Sequence, residues 1–110
     1  MTIDENINEA EDAVCIANNS GRILTANKRF CKMFGFDQNE VKGHYLCDLY
    51  RHKEVLNRIL ENIPEQDDVL QTRMRTRAGR SFPCQLTYRA TKSLEGIPLL
   101  RHSIQRSSCQ

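Results

Sequence analysis

The stretch N-N-S-G-R-I-L-T-A-N-K-R-F-C-K-M-F-G-F-D-Q-N-E-V-K-G, residues 18–43, decides the fold. Val14-Cys15-Ile16-Ala17 runs just ahead of it and Ile23-Leu24-Thr25-Ala26 lies inside it, two apolar runs separated by Asn19-Ser20-Gly21. Gly21 supplies the positive φ of a tight turn, and Asn and Ser side chains bond their own backbone, so the two runs are predicted to pair as an antiparallel hairpin. After Asn27 the period changes. Phe30, Met33 and Phe34 stand at i, i+3 and i+4 and share one face of a short helix. Asn27 is placed to cap that helix through its side-chain oxygen, and Gly35 to take the left-handed position beyond its end. On this reading Asn27→Ala costs roughly 1 to 2 kcal/mol, and Asn27→Asp costs less because Asp also caps.

Working outward, Asp37 and Glu40 make a D-x-x-E capping pattern that Gly43 ends. Residues 45–50 are predicted as another helical turn. Residues 52–63 carry Val55, Leu56, Ile59, Leu60 and Ile63 on one stripe before Pro64, which predicts the longest helix. Three strand patterns follow. In residues 69–77, Leu70, Thr72, Met74 and Thr76 share one face and Gln71, Arg73, Arg75 and Arg77 the other. Phe82, Cys84, Leu86, Tyr88 and Ala90 alternate with Ser81, Pro83, Gln85, Thr87 and Arg89. In residues 97–105, Leu100, His102 and Ile104 compete with Ile97, Leu99, Arg101 and Ser103 for the inner face, and the pattern leaves the register open. Two strands, short helices and three strands give an α+β domain, with Phe30, Phe34, Leu56 and Leu60 buried against the even-numbered face of residues 82–90.

The order hairpin, capping Asn, short helix, G-F-D, Glu and Gly resembles the PAS domain family (sensory box). Gly21, Ile23, Asn27, Phe30, Phe34, Gly35, Phe36, Glu40 and Gly43 carry the resemblance, which covers residues 11–106. Gly21, Asn27, Gly35, Glu40 and Gly43 are the fold-defining positions. The resemblance implies a five-stranded antiparallel sheet in the order 2-1-5-4-3, with short helices covering one face and cupping a small cavity. Its candidate lining is His102, Phe30, Phe34, Leu56, Met74, Leu86 and Tyr88. The division expected is an acidic amphipathic helix or linker (1–12), the PAS domain (13–106) and a tail (107–110).

Composition and charge narrow the function. With 110 residues, 39% hydrophobic and 27% charged, the chain has the make-up of one ordinary globular domain. No run is apolar enough to cross a bilayer, and the acidic N-terminus lacks the features of a signal peptide, so a cytoplasmic location is expected. Cys15, Cys31, Cys47, Cys84 and Cys109 are odd in number and never two residues apart, which argues for reduced thiols rather than a disulfide framework or a zinc site. The net charge of +2 hides an asymmetry: Asp4, Glu5, Glu9, Glu11 and Asp12 stand in the first twelve residues with no base. In the same segment Ile3, Ile7 and Ala10 form a narrow apolar stripe with no evident place in the core of one chain, and a homodimer formed through it is expected.

No nucleophile and base stand at a spacing that brings them together, and there is no phosphate-binding glycine loop, so a non-enzymatic domain is expected. Family members bind flavin, haem, small acids or nothing. The photoactive flavin pattern G-x-N-C-R-F-L is replaced after Gly43 by His44-Tyr45-Leu46-Cys47-Asp48-Leu49, with Cys47 one place late. His52 and His44 read as surface histidines, and His102 as a core histidine held by a hydrogen bond. Neither flavin nor haem is therefore expected to bind tightly, and the cofactor is left unknown. The resemblance points to a sensor or dimerisation module of a signal-transduction protein, such as a sensor histidine kinase of a two-component system or a cyclic-dinucleotide signalling protein. It would bind a small ligand or a partner and pass a conformational signal to an effector. The alternative is a nucleic-acid- or anion-binding domain using Arg73, Arg75 and Arg77, but edge strands also carry charge simply to prevent aggregation. The family's D-[IV]-T exit motif at the end of the last strand is here Ser103-Ile104-Gln105, without the carboxylate.

Overall fold

A computed structural model describes residues 7–107. Ile3, Cys109 and most of the expected tail lie outside the described residues, as does the first half of the expected N-terminal helix. One sheet holds β1 (Ala13–Ala17), β2 (Ile23–Ala26), β3 (Asp68–Arg75), β4 (Ser81–Lys92) and β5 (Pro98–Arg106), antiparallel in the order β2-β1-β5-β4-β3. Between β2 and β3 come α1 (Lys28–Phe34), α2 (Gln38–Val41), a 3-10 turn (Leu46–Leu49) and α3 (Lys53–Glu61).

The hairpin turn is built by the residues that signalled it. The Asn18 side-chain oxygen accepts from the backbone N–H groups of Ser20 and Arg22, both at 3.0 Å. Gly21 has φ +83°, and a Cβ there would stand 3.7 Å from the Leu60 side chain, so α3 packs directly over the turn. At the far end of α1, Gly35 is left-handed and its N–H donates to the Cys31 carbonyl at 2.8 Å. Below it, Asp37 and Glu40 close the capping box. Helix α3 stops two residues before the predicted Ile63, because the residue preceding a proline is driven out of helical geometry.

Pairing of Cys15 with His102 and of His102 with Tyr88 resolves the last strand. Leu100, His102 and Ile104 face the helices and Leu99 faces outward. The inner face and the helices form one core, in which Phe30 and Phe34 stack at 4.5 Å and Phe34 meets Phe82 at 5.5 Å. The outer face has its own smaller cluster of Val14, Ile16 and Leu99, covered by Ile7 and flanked by Ala10 and Leu24. Ile7 and Ala10 therefore find a place within one chain. The outward apolar groups they cover stand on β1 and β5. Residues 43–46 shield the β2 edge: Gly43 N–H donates to the Ile23 carbonyl, Ile23 N–H to that of His44, and Leu46 N–H to that of Gly21, each at 2.8 Å.

Candidate functional site

Asn27 and His102 are polar side chains sealed inside this domain, and their surroundings differ. Asn27 is 1% exposed and uses its whole amide. Its oxygen accepts from Phe30 N–H at 2.9 Å, as the predicted cap, and also from Val14 N–H at 3.1 Å. Its NH2 group donates to the carbonyls of Ile7 and Asp12, both at 2.9 Å. This revises the expectation for Asn27→Asp. A carboxylate keeps the cap but can donate to neither carbonyl, and it sets negative charge against both.

His102 lies at the centre of the inner face with none of its surface exposed. The Tyr50 hydroxyl stands 2.6 Å from its Nε2, and its Nδ1 has no hydrogen-bond partner. Burial holds the imidazole down at about 4, only partly opposed by the adjoining Arg101 backbone, so it is neutral at pH 7. Burial first, and then the neighbouring Cys15, Cys84 and Tyr88, push the Tyr50 hydroxyl well above its ordinary range. Burial raises the Cys15 thiol, and it lifts Cys84 to about 11. The centre is uncharged, with two hydrogens, on the phenol and the imidazole, for one shared bond. If Tyr50 donates, Nδ1–H is left over; if Nε2–H donates, the phenol hydrogen is left over. Either way one buried donor hydrogen lacks a well-formed hydrogen bond among the described residues, the Arg101 backbone offering the imidazole only a weak one.

The seven candidate lining residues do not form the wall of one open cavity. Phe30, Phe34, Leu56, Met74, Leu86 and His102 are packed in the core, and Tyr88 is half-buried beside them. Tyr88 alone of the seven reaches the pocket between α3 and the β3–β4 edge, a space of about 340 Å³ lined also by Val55, Arg58, Ile59, Asn62, Leu70 and Gln71. Its ring lies 6.4 Å from that of His102, so it stands between the pocket and the buried pair. A larger open groove of about 890 Å³ runs beside α1, but none of its lining residues belongs to the sheet.

The remaining candidates sit apart from this centre. His52 is exposed at the start of α3, 3.8 Å from Glu54, and the His44 ring packs on Phe36 at 4.8 Å. Cys47 is half-buried in the 3-10 turn, its Sγ 3.9 Å from Asp48 Oδ1. The three arginines do not form one row. The chain turns at residues 76–80, which takes Arg77 off the strand; its backbone N–H donates to the Phe34 carbonyl and its guanidinium pairs with Glu40 at 2.7 Å. That bond from Arg77, and then the Asp37 backbone N–H, hold the Glu40 carboxyl below its ordinary range. Arg75 donates to the Asp48 carbonyl at 3.0 Å, and Arg73 to Ser81 Oγ at 3.1 Å. Tyr50 was missed as a site residue because nothing local signals a partner 52 positions away.

The PAS domain profile matches residues 11–105. The chain belongs to the PAS domain family. Among solved structures, this PAS domain is similar to that of an HTR-like protein from Haloarcula marismortui, with a TM-score of 0.78 at 18% identity over 92% of this chain and 90% of that one. It is similar also to a PAS domain from a two-component sensor histidine kinase, with a TM-score of 0.76 at 17% identity over 92% and 89%. A third is the PAS domain, in complex with ethanol, of a LuxR-family transcriptional regulator from Burkholderia thailandensis, with a TM-score of 0.73 at 18% identity over 94% and 95%. No curated protein matches in sequence. No helix among the described residues is long and apolar enough to cross a membrane.

Proposed function

We propose that this PAS domain is a non-enzymatic sensor module of a cytoplasmic signalling protein, of the kind found in sensor histidine kinases and cyclic-dinucleotide enzymes. It works beside an effector domain or a second copy of itself. The observation that carries the reading is the family match across residues 11–105. The chemistry of the interior supports a small, neutral, hydrogen-bond-accepting ligand. The Tyr50–His102 pair is uncharged at pH 7 and has one donor hydrogen to give, and desolvating a charged ligand beside it would go uncompensated. Tyr88 is the side chain that would have to move for a molecule in the pocket to reach the pair. The solved neighbour from Burkholderia thailandensis, which holds ethanol, suits this scale.

Titration of the isotope-labelled chain with ethanol and with acetate, followed by NMR, tests the reading. Ethanol is expected to shift the Tyr88, Ile59 and Leu70 amides and the His102 ring, with acetate weaker. Shifts confined to the arginines, paired with tight salt-dependent RNA binding, would transfer the lead to the nucleic-acid alternative. Protein purified from cells is expected to be colourless; a yellow or red preparation, carrying flavin or haem, would overturn the expectation that neither binds tightly.

A further inference from the structure

The Asn27 amide faces two ways, and the two ends belong to different parts of the molecule. Its oxygen holds the first turn of α1, the helix that carries Phe30 and Phe34 into the core. Its NH2 group holds the carbonyls of Ile7 and Asp12, at the two ends of the segment that lies across the outer sheet face. That segment has two further attachments and one bond within itself. Ile7 covers Val14, Ile16 and Leu99; the Ala10 N–H donates to the Ile7 carbonyl at 3.2 Å; and Asp12 Oδ2 accepts from Ser103 Oγ on β5 at 3.2 Å. Backbone bonds reinforce the junction, since Asn27 N–H also donates to the Val14 carbonyl at 3.0 Å.

We propose that Asn27 is a coupling residue that transmits the packing of α1 in the core to the strap formed by residues 7–12 on the opposite side of the sheet. A shift of Phe30 or Phe34 moves the first turn of α1 and with it Asn27. The amide cannot follow α1 and keep both carbonyls, because all four of its hydrogen-bonding sites are occupied at 2.9 to 3.1 Å. The strap then loosens at Ile7 and Asp12 while the β4–β5 turn, which touches neither, stays as it was. The strap is the moving part because it is held by a few directional bonds and one isoleucine, whereas β5 is bonded along both of its edges.

The proposal rests on the sensor reading only for its purpose. It is tested without ligand, so a failed ligand search and a failed coupling are separate results. Amide hydrogen exchange is followed in the full chain for the native sequence, Phe30→Leu, Asn27→Ser and the double variant. Ser keeps the cap and removes both amide donors. Phe30→Leu is expected to speed exchange at Ala10 about tenfold more than at Gly96. Asn27→Ser is expected to speed Ala10 by itself and to abolish the extra response to Phe30→Leu. Equal acceleration at Ala10 and Gly96, or an undiminished Phe30→Leu response in the Asn27→Ser background, overturns the proposal. Should Asn27→Ser not fold, the comparison of Ala10 with Gly96 in Phe30→Leu alone decides it.

Discussion

Asn27 and His102 are both buried polar side chains in one small domain, yet one is saturated and the other is not. Asn27 meets four backbone groups with four bonds, so it is a joint, and its environment would be made worse by any added molecule. His102 shares one bond with Tyr50 and leaves a donor hydrogen over, so its environment can be improved by an acceptor. The difference separates what holds this fold together from what can respond within it.

The sharpest way to break the comparison is at Asn27. Asn27→Ala takes away the partner of the Phe30 and Val14 N–H groups and of the Asp12 carbonyl, leaves the Ile7 carbonyl only its bond from Ala10 N–H, and is expected to cost about 3 kcal/mol or more, well beyond a simple cap. Asn27→Asp is expected to cost at least as much at pH 7. The introduced carboxyl, buried against two carbonyl oxygens, has a folded-state pKa above its unfolded value near 3.9, so its deficit relative to the native chain shrinks as pH falls through the raised value. Urea denaturation at pH 7 and at about pH 5 checks both statements; an Asp variant as stable as the native chain at pH 7 would falsify the four-bond account.

Next in size is the titration of His102. Its pKa falls from an ordinary 6.5 in the unfolded chain to about 4 in the folded one, so it favours folding fully above pH 6.5, and that contribution is lost as pH falls through about 4. The loss is about 3 kcal/mol across that window. His102→Gln keeps a polar partner for Tyr50 without titrating, and the difference between native and variant stability is expected to close as pH falls from 6.5 to 4. A difference constant over that range means that His102 is solvated.

The outer face gives the third. Ile7→Ser removes the cover over Val14, Ile16 and Leu99 and is expected to cost about 1.5 to 3 kcal/mol. Deleting residues 1–12 bares the same patch and is expected to increase self-association, where the sequence pointed to dissociation. Sedimentation of the deletion variant distinguishes the two. Tyr50→Phe is smaller, about 1 kcal/mol, because one shared bond is lost while the number of unmatched donor hydrogens stays at one. Comparative thermal melts against His102→Gln read it.

How much of this was legible follows from how local each signal is. The Asn27 cap was readable because Phe30 is three residues on and the helical period begins there. The other three bonds were not, because Ile7, Asp12 and Val14 contribute backbone groups, which every residue type carries. Strand order followed from the family resemblance, but the β5 register stayed open because Leu99 and Leu100 are both buried, one on each face of the sheet. Arg77 was misplaced on the strand because alternation alone does not show that Gly79 pulls the chain into its turn two residues earlier.

The central claim, one saturated centre beside one that can still bond, is tested most directly by a pH titration of the His102 ring nitrogens by NMR in the full chain. The account predicts a single neutral tautomer that persists down to about pH 4, with Nε2 showing the bond to Tyr50. A ring that titrates near 6.5, or that interconverts between tautomers as a solvated imidazole does, would contradict it.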